Sequence, residues 1–265
     1  MVTTFFQSAW RYRNFIVSSI RNDFKMRFNR SKLGGLWMIL HPLALVLMYA
    51  LVLSAVLSAK LPGIESRFAY AIYLTAGILS WSLFSEVVTR CLTIFIENGS
   101  LMQKVVFPKI CLPLIVTGTA LVNNMLLLFS ILIIFFLLGY YPGVYILWLP
   151  VLVAINISLA LGIGLILGVL NIFIRDVGQV VPVILQFGFW FTPIVYTENI
   201  IPEAYRGLLA INPMYHVTSA YHNVLVYNQA PVWPGLIAVS CIAATLLAFS
   251  LVIFRKASAE MVDVL

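Results

Sequence analysis

Charge is scarce in this sequence. Only 9% of its 265 residues are Asp, Glu, Lys or Arg, against about a quarter in ordinary soluble domains, and the 65 positions from 110 to 174 carry no charge at all. A water-soluble globular domain is thereby excluded. Cysteine is scarce too: Cys91, Cys111 and Cys241 lie in or beside apolar runs, without the close pair spacings of zinc or redox motifs, and read as small packing residues. The phosphate loop GxxxxGK[ST] is missing, as are HExxH, CxxC and GxSxG, so the chain has none of these means of binding ATP, holding catalytic zinc or activating a serine. It is not expected to be an enzyme by itself. Acidic side chains within the apolar stretches reduce to Glu86, which speaks against a proton-driven carrier that would want carboxylates at mid-membrane. The three histidines, His41, His216 and His222, are scattered and read as hydrogen-bonded packing residues.

Apolar residues make up 62% of the chain. Their runs are too long and uniform for barrel strands, which alternate in polarity over about ten residues, so the spans are read as helices. Residues 1–32 hold seven Lys and Arg opposed by Asp23, with no uncharged core that could serve as a signal peptide. Ile16, Ile20, Phe24 and Phe28 recur every four residues, with Trp10 and Val17 near that face and Arg21 and Lys25 on another. This period predicts a helix in the membrane interface whose basic side meets lipid phosphates.

Residues 33–59 are uncharged and long enough to cross a hydrocarbon core of about 30 Å; they are the expected first span. The second runs over 68–96 and carries Glu86 and Arg90 as an i,i+4 pair, compatible with snorkelling to the cytoplasmic surface or with lining a polar pore. A polar, basic, turn-forming stretch follows, ENGSLMQKVVFPKICLP from Glu97 to Pro113. Spans three and four form a hairpin broken at Gly139-Tyr-Tyr-Pro-Gly143, and Asn123, Asn124, Asn156, Gly164 and Gly168 within it read as helix-packing residues. Arg175 and Asp176 return the chain to a charged surface. Span five covers about 178–196, two pieces near 199–211 and 213–227 are too short to cross and read as re-entrant, and the last span covers about 233–254, followed by Arg255 and Lys256.

Six spans from a cytoplasmic start bring both ends inside. The assigned inner segments hold twelve Lys and Arg and the outer ones three, Lys60, Arg67 and Arg206, as the positive-inside rule requires. The net charge of +7 is thus assigned to topology, not to nucleic acid. With no repeat or linker, residues 1–265 are expected to form one domain: 1–32 the interface helix, 33–254 the spans, 255–265 a cytoplasmic tail.

The order and spacing of several short phrases resemble the permeases of type-2 ABC transporters, in the branch that exports lipid-linked polysaccharide such as O-antigen, capsule or teichoic acid, and most of all the O-antigen exporter subunits. The phrases are Arg30-Ser-Lys-Leu-Gly-Gly-Leu-Trp37 leading to Pro42, the arm Glu97 to Pro113 with its Phe-Pro-Lys, Arg175-Asp176, Thr192-Pro193-Ile-Val-Tyr196 and Asn212-Pro213. The Tyr-Arg usual in that family after the Asn-Pro element stands here as Tyr221-His222.

The resemblance implies a bacterial inner-membrane homodimer working with two copies of a separate ATPase that carries ATP and Mg. Glu97, Asn98, Leu101, Met102, Gln103, Lys104 and Val105 would couple to that ATPase, with Leu101 and Met102 as the apolar anchor. Arg21, Lys25, Arg27, Arg30 and Lys32 would meet lipid headgroups, and Leu33, Gly34 and Gly35 would flank substrate entry. Aromatic rings can guide a sugar chain by its CH faces, which nominates Trp81, Phe84, Phe187, Trp190, Phe191 and Tyr196 as channel lining. Pro193, Tyr215, Tyr221 and His222 would form an outer gate. The alternative reading is an intramembrane transferase acting on lipid-linked sugar, which would need acidic or histidine side chains converging on one face.

Overall fold

The computed structural model describes residues 10–28, 69–104, 107–137, 139–258 and 260–261, with single positions at 36, 37, 40, 44 and 48. Apart from those positions the expected first span lies outside the described residues, as do Arg30, Lys32, Leu33, Gly34, Gly35 and Val105. The described residues are helical, with no strand among them. In chain order they form α1 (Arg13–Phe28), α2 (Ala69–Glu97), α3 (Gly99–Lys104), α4 (Cys111–Leu137), a 3-10 turn (Val144–Trp148) running into α5 (Leu149–Phe173), α6 (Val177–Phe191), α7 (Glu203–Leu209), α8 (Pro213–Leu225) and α9 (Trp233–Ala257).

Among the described residues four helical segments are long and apolar enough to cross a membrane: Ala69–Glu97, Cys111–Leu137, Val144–Phe173 and Trp233–Ala257. The expected fifth span is shorter than the sequence suggests. As a helix it ends at Phe191 after 15 residues, and Thr192–Tyr196 leave it as irregular backbone. The two expected short pieces are α7 and α8, of 7 and 13 residues.

Helix α2 is the hub, packed against α4, α5, α6 and α8, while α5 packs along both α2 and α9. Two devices bring α5 against it. At Gly164 and Gly168 the backbones approach so closely that a Cβ on Gly164 would stand 2.8 Å from the Cys91 Cβ, and one on Gly168 would collide with the Cys91 carbonyl oxygen. Small residues at this spacing are what permits such contact in lipid, and they account for the small, fully buried Cys91. The second device is polar. Asn124 of α4 donates to the Leu79 carbonyl at 2.9 Å, and Asn156 and Asn171 of α5 donate to the Ser80 and Leu92 carbonyls at 2.8 Å each. The small-xxx-small pair, Asn124 and Asn156 thus serve packing, as the sequence suggests, joined by Asn171, while Asn123 donates to the Glu86 carboxylate.

Helix α1 lies against α4. Ile16, Ile20 and Phe24 are half-buried, Arg21 and Lys25 exposed, and Ile20 fills the space above Gly118. Trp10 and Val17, expected near the packed face, are exposed; Trp10 instead lies under the Arg13 guanidinium, 5.0 Å from its ring centre.

A Gly168→Ala variant should lose about 1–3 kcal/mol through overpacking against backbone that cannot step aside. Gly207→Ala, inside α7 with nothing within 4 Å of the new methyl, should not destabilise and should gain up to about 1 kcal/mol of helix propensity. Thermal unfolding of the two purified proteins in detergent checks the difference.

Candidate functional site

Two candidate functional regions lie at opposite ends of α2. At one end α2 continues to Glu97 and turns at Asn98, whose side-chain amide donates to the Ile94 carbonyl at 2.9 Å. The Met102 backbone N–H donates to the Asn98 carbonyl at 2.9 Å, so α3 leaves as a single bent turn. The arm is not loose. Met102 is 6% exposed and sits in a cluster with Phe95, Leu112, Leu165, Phe254 and Met261, where Phe95 and Phe254 stack with ring centres 5.4 Å apart. Beyond the arm, the Lys109 ammonium donates to the Ser258 carbonyl.

This corrects the expectation that Met102 offers an apolar anchor to a partner. Its side chain is used within the chain, because the helix turn at Asn98 points it back between α2 and α9. Among the described residues of the arm, Glu97, Ser100, Gln103 and Lys104 are exposed, and Asn98 and Leu101 are half-buried.

At the other end lies a polar knot. The Tyr73 hydroxyl is 3.1 Å from both the Pro193 and Tyr196 carbonyls, and the Tyr70 hydroxyl donates to that of Val195. Two tyrosines three apart on one face of α2 therefore satisfy the carbonyls of backbone that is not helical, which must be satisfied at membrane depth. Asn212 accepts from the Met214 N–H at 3.0 Å, capping α8, and its amide donates to the Thr192 hydroxyl at 3.0 Å. The Thr-Pro and Asn-Pro phrases, 20 residues apart, thus meet in space.

Helix α8 plunges into the core. Tyr221 is fully buried and His222 is 3% exposed; the imidazole stacks on Tyr73 at 3.7 Å, and its Nε2–H donates to the Tyr73 carbonyl at 3.0 Å. Gly77 makes the room, since a Cβ there would lie 3.0 Å from His222 Nε2. The Ser80 and Thr218 hydroxyls hydrogen bond at 2.9 Å, and the Tyr140 hydroxyl donates to the carbonyls at 225 and 226. Of the four residues nominated for an outer gate, Pro193, Tyr221 and His222 are buried. Tyr215 is half-buried with its hydroxyl donating to Glu198 Oε2 at 2.8 Å.

The six nominated lining aromatics divide. Phe84 is buried in the core. Trp81 is half-buried beside Phe84 and Phe189, its ring lying over Gly188. Phe187, Trp190 and Phe191 on α6 are 58–65% exposed and face out of the chain. Tyr196 is half-buried, its hydroxyl donating to the Trp190 carbonyl at 2.8 Å. Sequence reasoning missed Tyr70, Tyr73, Thr192 and Asn212 as one unit. It also missed Asp23, whose carboxylate reaches Arg90 at 2.9 Å. No group of three or more His, Cys, Asp or Glu that could hold a metal occurs among the described residues.

Residues 15–226 match the family model for ABC-2 type transporters. An O-antigen export system permease protein of Myxococcus xanthus is 28% identical over 97% of each chain. One from Klebsiella pneumoniae is 29% identical over 75% of each. A polysialic acid transport protein of Escherichia coli is 26% identical, covering 82% of this chain and 80% of its own.

Tyr73→Phe should free the Pro193 and Tyr196 carbonyls, at about 1–3 kcal/mol for buried groups left unpaired. A cysteine placed at Val195 should then react several-fold faster with a small thiol reagent. The exposed Tyr205 changed to Phe should leave that rate as it was.

Proposed function

The chain belongs to the ABC-2 type transporter family, and from that premise we propose that it is the membrane-spanning permease subunit of an ATP-driven exporter of lipid-linked, O-antigen-like polysaccharide. The observation that carries the reading is similarity to an O-antigen export permease over nearly the whole of both chains. In this reading residues 33–59 add a span before α2, α6 with Thr192–Tyr196 completes the fifth, and α9 the sixth. Both ends then lie in the cytoplasm of a bacterium whose inner membrane holds the protein. The chain works as a homodimer with two copies of a separate ATPase, which bind the ATP and Mg.

The arm supports this division of labour. It joins the ends of two spans, and its exposed Glu97, Gln103 and Lys104 can change polar partners while Met102 ties its movement to the core. A partner can bias two states only by contacting them differently. The exposed aromatics of α6 suit a polar polymer with apolar CH faces, and in the dimer they would look onto the substrate path.

Membrane vesicles holding the chain and its ATPase should move a lipid-linked glycan only with ATP, and an ATPase partner unable to hydrolyse ATP should stop that movement. Movement that continues without the ATPase would overturn the reading.

Reversing charge on the arm, Glu97→Lys with Lys104→Glu, should cut the co-purified ATPase at least fivefold without changing the melting temperature. Met102→Ala should lower the melting temperature as well, which distinguishes the outer face of the arm from its buried root.

A further inference from the structure

One charged cluster lies apart from the arm, the polar knot around Tyr73 and the exposed aromatics of α6. Arg90, two turns of α2 before the arm, gives its Nε to Glu86 at 3.0 Å and its Nη1 to Asp23 of α1 at 2.9 Å. Glu86 also accepts from the Asn123 amide of α4. The side chains are 21%, 25% and 32% exposed for Arg90, Glu86 and Asp23, so the cluster is partly withdrawn from water, where a charge without a partner is costly. Three helices contribute: α1 supplies one carboxylate, α2 the other and the guanidinium, α4 the amide. The planar guanidinium forks between the two carboxylates, a geometry a lysine could not reproduce.

We infer that Asp23 and Arg90 are positioning residues that clamp the interface helix α1 to the root of the coupling arm, so that a push on the arm moves α1 with it. The inference rests on the permease reading above and names a connection within it. Three features point that way. Helix α2 runs unbroken from Arg90 to Glu97, so a displacement of the arm reaches Arg90 without a hinge. Helix α1 also packs through apolar contacts, Ile20 over Gly118 of α4 and Phe15 beside Phe107 with ring centres 5.8 Å apart, which resist sliding less than a directional bond does. The Glu86–Arg90 pair is internal to α2 and survives removal of Asp23, so the tie between helices can be cut while α2 keeps its own charge balance.

The test uses the whole complex with its ATPase in vesicles and compares wild type, Asp23→Asn and Asp23→Glu. Glycan moved per ATP hydrolysed is measured, together with the distance between spin labels on cysteines placed at Val17 and Thr89 in a Cys241→Ser background. Asp23→Asn should keep ATPase binding and hydrolysis within about twofold, lower glycan moved per ATP at least tenfold, and turn one label distance into a broad distribution. Asp23→Glu should restore both readouts.

Three results would overturn the clamp: normal export with a broadened distance, an unchanged distance in Asp23→Asn, or loss of ATPase binding along with export, which would make the pair merely structural. If instead the wild-type complex moves no glycan at all, the permease reading fails and the label distances alone judge the clamp.

Discussion

A helix in hydrocarbon has no water to finish the hydrogen bonding of any polar group brought near it, and in this chain α2 is where that constraint concentrates. Its carbonyls at Leu79, Ser80 and Leu92 accept from asparagines of α4 and α5, that at Tyr73 from His222, and its tyrosine hydroxyls complete the irregular backbone after α6. Each bond is modest by itself, on the order of 1 kcal/mol. Their effect lies in direction, because each fixes the depth at which one element meets α2. An apolar interface of the same area would leave that depth free to slide.

The two ends of α2 use the constraint differently. The end near Tyr73 is crowded: Tyr221 and His222 lie in the core, with Gly77 holding the place for the imidazole. An arginine at 222 would bring a charge into that buried space, whereas the histidine stacks there on Tyr73. The end near Glu97 leaves α3 with one buried root and a polar exposed face.

Much of the fold was legible because its signals are long. The uncharged 65 residues, the break at Gly139, which has φ of 74°, and the basic flanks located α4, α5 and α9 within a few residues. The four-residue period of Ile16, Ile20 and Phe24 located α1, yet it put Val17 near the packed face although a step of one residue turns a helix by about 100°. What the sequence could not show were meetings between distant phrases. Nothing local marks Asn212 as the partner of Thr192, or Asp23 as that of Arg90, since a polar residue in an apolar run announces that it needs a partner without saying which. Met102 was misjudged for a related reason: a methionine in a polar arm suits a partner's pocket and the chain's own core equally well, and only the turn at Asn98 decides between them.

The root of the arm has a consequence for the order of biosynthesis. Met102 shares its cluster with Phe254 and Met261, which leave the ribosome roughly 160 residues later. At translation speeds of about 5–20 residues per second, that is a delay of roughly 8 to 32 s. During this interval the arm has been made but the residues that seat it have not. The root of the arm therefore closes only after α9 and Met261 have been made.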